Sequence, residues 1–334
     1  MVDLRFERVA LDQVPWEALD AYPDRVVCQT RGWLGYLRDT QRAEPVVARL
    51  LDGSREAGWF TGAVVRKAGV RVLGSPFPGW LTFDMGFNLQ PGVARREALA
   101  ALRRFAFGPM GCWHVEIRDR YLTPDDAATL GWDVQPGSTI LIDLGKPEEA
   151  LMKGLDRDVR RCVRRAEEQG VQIVQADDEA FFEEHYQQLL EVFGKQGMSP
   201  LYERDRLVAL WRNLRGTGRL LLLRGLTPDG ECASTGVFAA MNDTMYWVAY
   251  SSWQKHQALH VNDLLQWRAM LHWSRLGVVR YDMAGWVPYK MKFGGVRTEI
   301  VWLRCSRLPW LSRLREPARR FIRAYRLRHG VGGG

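Results

Sequence analysis

Three groupings of residues in this sequence could do chemistry. The first is the stretch Tyr281–Gly295, YDMAGWVPYKMKFGG, where Trp286, Tyr289, Lys290 and Lys292 stand among three glycines and a proline. Glycine and proline at that density bend the backbone sharply, and loops of this kind with lysines and aromatics packed among them tend to carry function. The second is Gly74–Gly86, GSPFPGWLTFDMG, in which Asp84 supplies a carboxylate. A positioned carboxylate can take the proton of an amine that arrives as an ammonium, typically for about 10²–10⁴-fold in rate. At the ordinary aspartate pKa of about 4 that role needs partial desolvation, or gives way to orienting the amine; an Asp capping the turn before Gly86 accounts for the same residue equally well. The third is the row Arg157, Arg160, Arg161, Arg164 and Arg165 along one helix face. Such a row can neutralise several phosphates, although Asp156, Asp158, Glu167 and Glu168 can pair with part of it.

Each grouping needs elements to hold it. Tyr281–Gly295 follows an amphipathic helix over Ala258–Leu276 and a short strand Val278–Asp282, and leads into another strand-like run. Ahead of Asp84, Gln29-Thr30 begins a helix over Arg31–Thr40 that puts Trp33, Leu34 and Leu37 on one face. Apolar runs at Pro45–Leu51, Trp59–Val65 and Val70–Leu73 then read as an antiparallel meander. Arg95–Phe107 is an amphipathic helix stopped by Gly108-Pro109, and Trp113–Arg118, Asp125–Leu130 and Thr139–Leu144 read as strand, helix and strand. The arginine row lies in one continuous helix over Lys146–Gly170, because Leu151, Leu155, Val159 and Val163 recur every four residues. Beyond it the order is strand (Val171–Gln175), helix (Glu179–Gly194), helix (Glu203–Leu214) and three strands (Leu220–Leu223, Cys232–Met241, Met245–Tyr250).

These stretches resemble the Fem-type aminoacyltransferases and related acetyltransferase-like proteins. YDMAGWVPYKMKFGG is similar to their D-F-G-G, spacer, F-K, two residues, F-G signature: Tyr289-Lys290 stands at F-K, Phe293-Gly294-Gly295 is retained, and Met283-Ala284-Gly285 replaces the usual aromatic-glycine-glycine. The Asp84 loop resembles the family's P-x-G-P-V-x-D, and the arginine helix its L-x-x-x-x-R-R-x-I-R-K-A-x-x-x-G-V, closed by Gly170-Val171. Gly197-Met198-Ser199-Pro200, with Tyr202 close behind, is similar to G-x-S-P/x-Y. The resemblance runs from Gln29 to Gly295 on dispersed matches. Where acyl-CoA enzymes of this fold carry Q/R-x-x-G-x-G/A to bind pyrophosphate, Gln254–Leu259 has neither glycine.

What the resemblance implies is a mixed α/β fold of two tandem acetyltransferase-like (GNAT-type) domains, each a largely antiparallel mixed sheet flanked by helices. They are expected over 1–145 and 146–305, with a basic amphipathic helix and flexible tail over 306–334. The implied activity is transfer of an aminoacyl group from aminoacyl-tRNA to an amine acceptor, forming an amide. It places Asp84 and Lys290 in catalysis. Tyr289, Lys290, Lys292, Arg157, Arg160, Arg161 and Arg164 are placed on the donor and its tRNA, and Arg38, Tyr202 and Trp286 on the acceptor. Two other readings fit the same residues: an acyl-CoA-dependent acyltransferase, and a non-catalytic RNA- or membrane-binding protein on the same scaffold.

Composition bounds these readings. The 334 residues carry a net charge of +8, mostly through arginine, which suits bidentate phosphate binding. The tail Arg304–His329 alternates arginines with Trp310, Leu311, Phe321 and Tyr325, a pattern for an RNA backbone, an anionic membrane surface or a packed helix with a solvated arginine face. The five cysteines lack C-x-x-C spacing, which argues against disulfides and structural zinc. His256 and His260 have the i, i+4 spacing of a zinc site, but Gln257 stands where a metalloprotease has Glu. No metal and no tightly held cofactor is therefore expected. With no signal-like leader and no apolar run long enough to span a bilayer, the expected location is cytoplasmic.

Overall fold

The computed structural model describes residues 4–308 apart from Ala68 and Gln196, grouped in two compact units. One gathers the chain up to Tyr22, Cys28–Gly137 and the chain from Ile300 on; the other holds Pro23–Val27 and Ser138–Glu299. These divisions differ from the expected 145/146 and 305/306, because two strands carry the chain across them. The basic helix expected over 306–334 lies, from residue 309 on, outside the described residues.

The first unit runs β1 (Leu4–Val9), α1 (Trp16–Asp20), α2 (Arg31–Gln41), β2 (Glu44–Asp52), β3 (Arg55–Lys67), β4 (Val70–Ser75), β5 (Gly86–Leu89), α3 (Arg95–Phe107), β6 (His114–Ile117) and α4 (Pro124–Ala127). Strands β1 to β4 are antiparallel neighbours, β5 pairs β3, and β4 pairs β6 in parallel. Strand β3 has buried residues from Ala57 to Val65 on both faces, as a strand covered on both sides must. Helix α2 starts where Thr30 Oγ1 accepts from Trp33 N at 3.3 Å, an N-cap that meets one of the helix's orphan donors.

The chain leaves this unit within β7 (Asp133–Asp143) and continues through α5 (Glu148–Gly154), α6 (Arg157–Glu168), β8 (Gln172–Ala176), α7 (Ala180–Gly194), α8 (Arg204–Leu214), β9 (Leu220–Leu226), β10 (Cys232–Met241), β11 (Thr244–Ser252), α9 (Val261–Arg275), β12 (Arg280–Asp282) and β13 (Val296–Ser306). In the second unit β8 to β11 are antiparallel in sequence order, β11 pairs β12 in parallel, and β12 pairs Leu141–Asp143 of β7. Helix α9 is buried almost all round among Leu221, Phe238, Met245 and Tyr281. The residues of β13 beyond Ile300 return to the first unit, where Leu303–Ser306 pair with β6.

The single helix expected over 146–170 is two helices. Leu155 and Asp156 are extended, with ψ of 148° and 150°, and the Asp156 N–H, which a continuous helix would use internally, donates instead to Lys292 O at 2.9 Å. The Arg160 guanidinium closes the break from the other side by donating to the carbonyls of Lys153 and Leu155. A second difference falls before α9. Residues Gln254–Leu259 form a 3₁₀ turn, and α9 begins only at Val261, after His260 in the left-handed region.

Candidate active site

The signature stretch is locked by its own side chains. Asp282 at the end of β12 is buried; its carboxylate accepts from Ala284 N at 2.7 Å and from the Thr139 hydroxyl, which in turn accepts from Gly285 N at 3.0 Å. That pairing holds Ala284 at a positive φ of 59°. The chain then makes a 3₁₀ turn over Pro288–Phe293 that carries Lys290 back toward its start. Lys290 Nζ donates to Met283 O at 2.5 Å and to Ala284 O at 3.4 Å, 4.9 Å above the centroid of the Trp247 ring. Burial pushes the Lys290 ammonium down to about 8, with the Asp282 carboxylate opposing. The stretch ends at Gly294, whose φ is +82° and where a Cβ would stand 2.5 Å from Gly154 O. Only glycine lets the turn press this closely on the end of α5.

Beside this turn lies a cavity of about 220 Å³. Trp247, Tyr250, Tyr289 and Phe293 supply its aromatic walls, and Asn262, Asp263, Gln266 and Lys292 much of its polar lining. Lys292 Nζ is 2.7 Å from Asp263 Oδ1. Asn262 sits in a hydroxyl network, donating to Tyr250 Oη at 2.5 Å and Ser252 Oγ at 3.1 Å while its own oxygen accepts from Ser234 Oγ at 2.7 Å. Cys162, His260 and Asp263 bring one ligand-type atom each within 4.8 Å of one another. The donor set could suit a zinc ion, but Lys292 already supplies the carboxylate's counter-charge, and burial together with Asp263 pushes the Cys162 thiol up, away from thiolate.

Of the residues expected from sequence, Tyr289 and Lys292 line this cavity, while Lys290 packs over Trp247, a residue of its lining, without lining it itself. Tyr289 is 50% exposed. Trp286 is half-exposed beneath the Arg297 guanidinium, 4.6 Å from its ring centroid. Tyr202 is buried elsewhere in the unit: its hydroxyl and Thr235 Oγ1 hold His185 from either side at 2.9 Å, and burial pushes that imidazole down to about 3. On α6 the arginines divide: Arg160 is spent on the helix break, exposed Arg161 pairs with Asp158 at 3.2 Å, and Arg157, Arg164 and Arg165 are exposed.

Asp84 and Arg38 belong to the first unit. Asp84 is 3% exposed, with Oδ1 2.8 Å from Arg118 Nε, so its carboxylate is met by a buried guanidinium. Its loop is fixed to α2, where Trp33 Nε1 donates to Thr82 Oγ1 and Tyr36 Oη to Trp80 O, each at 3.0 Å. Arg38 is exposed, with Nε 3.0 Å from Asp39 Oδ1. Sequence reading missed Trp247, Asp263 and Gln266. The signal present was a pair of polar residues three apart, Asp263 and Gln266, among the otherwise apolar buried positions of α9.

A GNAT topology is recognisable in the mostly antiparallel sheets with one parallel pair per unit, and residues 154–291 match the acetyltransferase (GNAT) domain family. No curated protein matches the sequence. Among solved structures, FemX superposes with a TM-score of 0.71 at 12% identity, covering 88% of this chain and 96% of its own. The tandem GNAT protein from the clavulanic acid biosynthesis pathway gives 0.52 at 13%, over 91% and 98%. L-PGS from Bacillus licheniformis gives 0.51 at 11%, over 75% and 81%. At such identities the likeness is one of fold. Residues 154–291 thus carry a GNAT-type acyltransferase domain, and the fold as a whole is similar to that of FemX. Among the described residues no helix is long and apolar enough to cross a membrane.

Proposed function

We propose that the protein transfers an aminoacyl group from an aminoacyl-tRNA ester to an amine. The observation that carries this reading is the junction between β11 and α9. In acyl-CoA enzymes of this fold that junction offers a glycine loop whose N–H groups hold pyrophosphate at a helix start. Here Gln254–Leu259 is a glycine-free 3₁₀ turn. Its His256 N–H donates to Trp253 O, and the N–H of His260, just past the turn, to Gln257 O. The ammonium of Lys255 and the ring of His256 are both drawn to Glu231. The phosphate-binding capacity lies instead on the exposed arginines of α6.

An ester is already activated, so positioning and charge stabilisation supply most of the acceleration. The amine nitrogen attacks the ester carbonyl; the C–N bond forms, the C–O bond to the terminal ribose breaks, and the ribose hydroxyl leaves with the proton lost by the amine. Lys290 contributes a cation for the developing oxyanion or the terminal phosphate. Tyr289, half-exposed at the cavity, offers a face on which the terminal adenosine stacks, and Lys292 and the α6 arginines serve the donor's charge. Asp84 orients the amine, its carboxylate fixed by Arg118, and Arg38 and Trp286 are assigned to the acceptor side; Tyr202, its hydroxyl engaged by buried His185, keeps a structural role.

The test is recovery of RNA bound to the purified protein from its host lysate at low and at raised salt, with the RNA sequenced and its 3′ aminoacylation determined. One charged tRNA family, lost steeply with salt, is the expected result. The GNAT domain match over 154–291 favours a second reading, an acyl-CoA donor. Recovery of no specific tRNA together with turnover of an acyl thioester would establish that reading in place of the first.

A further inference from the structure

One wall of the cavity holds a donor with nothing to give to. Gln266 on α9 is 2% exposed; its Oε1 accepts from Tyr281 Oη at 2.7 Å, while its Nε2 meets no acceptor among the described residues. An unmet buried amide donor is costly, so the site is shaped for an occupant that brings an acceptor. Three residues earlier on the same helix is Asp263, 8% exposed. Lys292 engages its Oδ1, but a carboxylate accepts through two oxygens and can share a second cation.

Residues three apart on a helix are neighbours, with Cβ atoms about 5–6 Å apart. Asp263 and Gln266 therefore set an anion and an amide donor side by side in the cavity. The chemical complement is an ammonium next to a carbonyl, which is the invariant part of an α-amino acid. Trp247, Tyr250, Tyr289 and Phe293 line the same space and suit both an apolar side chain and an ammonium, which aromatic faces attract. A bare amine would satisfy Asp263 and leave Gln266 unmet. An acyl group without an amine would do the reverse.

We propose that this cavity holds the amino-acid portion of the donor, its α-ammonium on Asp263 and its carbonyl oxygen on Gln266 Nε2. Its substrate class rests on the aminoacyl-transfer reading above. Gln266 then donates to the carbonyl oxygen as that oxygen gains charge, and Asp263 selects donors whose α-amine is free.

The test is calorimetric titration of the full chain with small probes that need no tRNA: amino-acid amides with alanine, leucine, phenylalanine and lysine side chains. Alongside each runs the matching amine that lacks the carbonyl and the matching des-amino amide. At least one amino-acid amide should bind about tenfold tighter than either of its truncated forms, the equivalent of about 1.4 kcal/mol for each contact. Asp263→Asn should remove the advantage over the des-amino amide, and Gln266→Met the advantage over the plain amine. The wild-type comparison decides the matter even where a variant fails to fold. An amine that binds as tightly as the amide would make this a plain amine pocket, as an acceptor site needs, and would overturn the proposal; so would the absence of saturable binding by every amide at millimolar concentration. Amides bound in the expected pattern by a protein that recovers no charged tRNA leave the cavity assignment standing and remove the tRNA donor. Turnover of charged tRNA by a protein that binds amide and amine alike does the opposite.

Discussion

Lys290 gives a prediction that does not depend on knowing the substrate. Its side chain is buried against the carbonyls of Met283 and Ala284 and the face of Trp247, and burial lowers its pKa from 10.5 to about 8. At about 1.36 kcal/mol per pH unit, that difference favours the neutral amine in the folded protein by about 3 kcal/mol. The sign follows from proton counting. Between pH 8 and about 10.4 the unfolded chain keeps a proton that the folded protein has released, and stability rises with pH wherever the unfolded state binds more protons. The cost of holding the ammonium is therefore fully present below about pH 8 and gone above about pH 10.4.

Urea unfolding of the wild type and of Lys290→Met across this range reads the effect directly. Other titrating groups cancel in the difference between the two proteins, and the lost hydrogen bonds of the variant shift its level but not its slope. Wild-type stability should gain on the variant by about 3 kcal/mol from about pH 7 to about pH 10.5. A difference that stays flat refutes the buried ammonium. Function supplies a second sign: the ammonium is the form that steadies an oxyanion or phosphate, so transfer by the wild type should fall as pH rises through about 8. A rate that climbs instead would make Lys290 a base.

Three further outcomes follow from packing and charge. Gly294→Ala puts a Cβ 2.5 Å from Gly154 O at a φ of +82°; left-handed strain alone costs roughly 1–2 kcal/mol, so calorimetry should show a lower Tm, and an unchanged Tm would mean the turn does not press on α5 in solution. Asp84→Asn removes the counter-charge of buried Arg118 and should cost about 3–5 kcal/mol in chemical denaturation. If the carboxylate also takes the amine's proton, single-turnover transfer falls by about 10²-fold or more, and an unchanged rate leaves it the orienting role alone. Replacing Arg157, Arg164 and Arg165 by alanine should reduce the salt slope of tRNA binding by about 2–3, at roughly 0.7–0.9 per phosphate contact; an unaltered slope would move the RNA to another surface.

Much of the scaffold was legible because its causes are local. The apolar spacing and Gly108-Pro109 stop of α3 give Arg95–Phe107, the bounds observed, and Thr30 marks the start of α2 as a capping residue should. Where the cause is distant, periodicity misleads. Leu151, Leu155, Val159 and Val163 keep a helical rhythm straight through Leu155-Asp156, and nothing nearby signals that Asp156 N will bond to Lys292 O. The glycine-rich signature could be located from its residues, and its two lysines singled out, but not the partners that set their chemistry. Trp247 and Asp263 come from other elements. Asp263 and Gln266 escaped for a related reason: they lie on the buried side of α9, away from its exposed Arg268 and Arg275, where an amphipathic reading expects apolar packing.

The contacts of the signature stretch explain why a mostly structural turn can govern a site. Asp282 ties it to Thr139 of β7, Lys290 to its own carbonyls and Trp247 of β11, Lys292 Nζ to Asp263 of α9, and Lys292 O to the first turn of α6. Strand, wall, acid and arginine helix thus all take their places from one short segment. A displacement of that segment would loosen the counter-charge on Asp263 and the seating of α6 together, so the amino-acid and phosphate binding proposed for them should fail jointly rather than one by one. That coupling separates a positioning fault in the turn from the loss of any single contact, and it follows from one lysine using its side chain on the cavity and its backbone on the helix break.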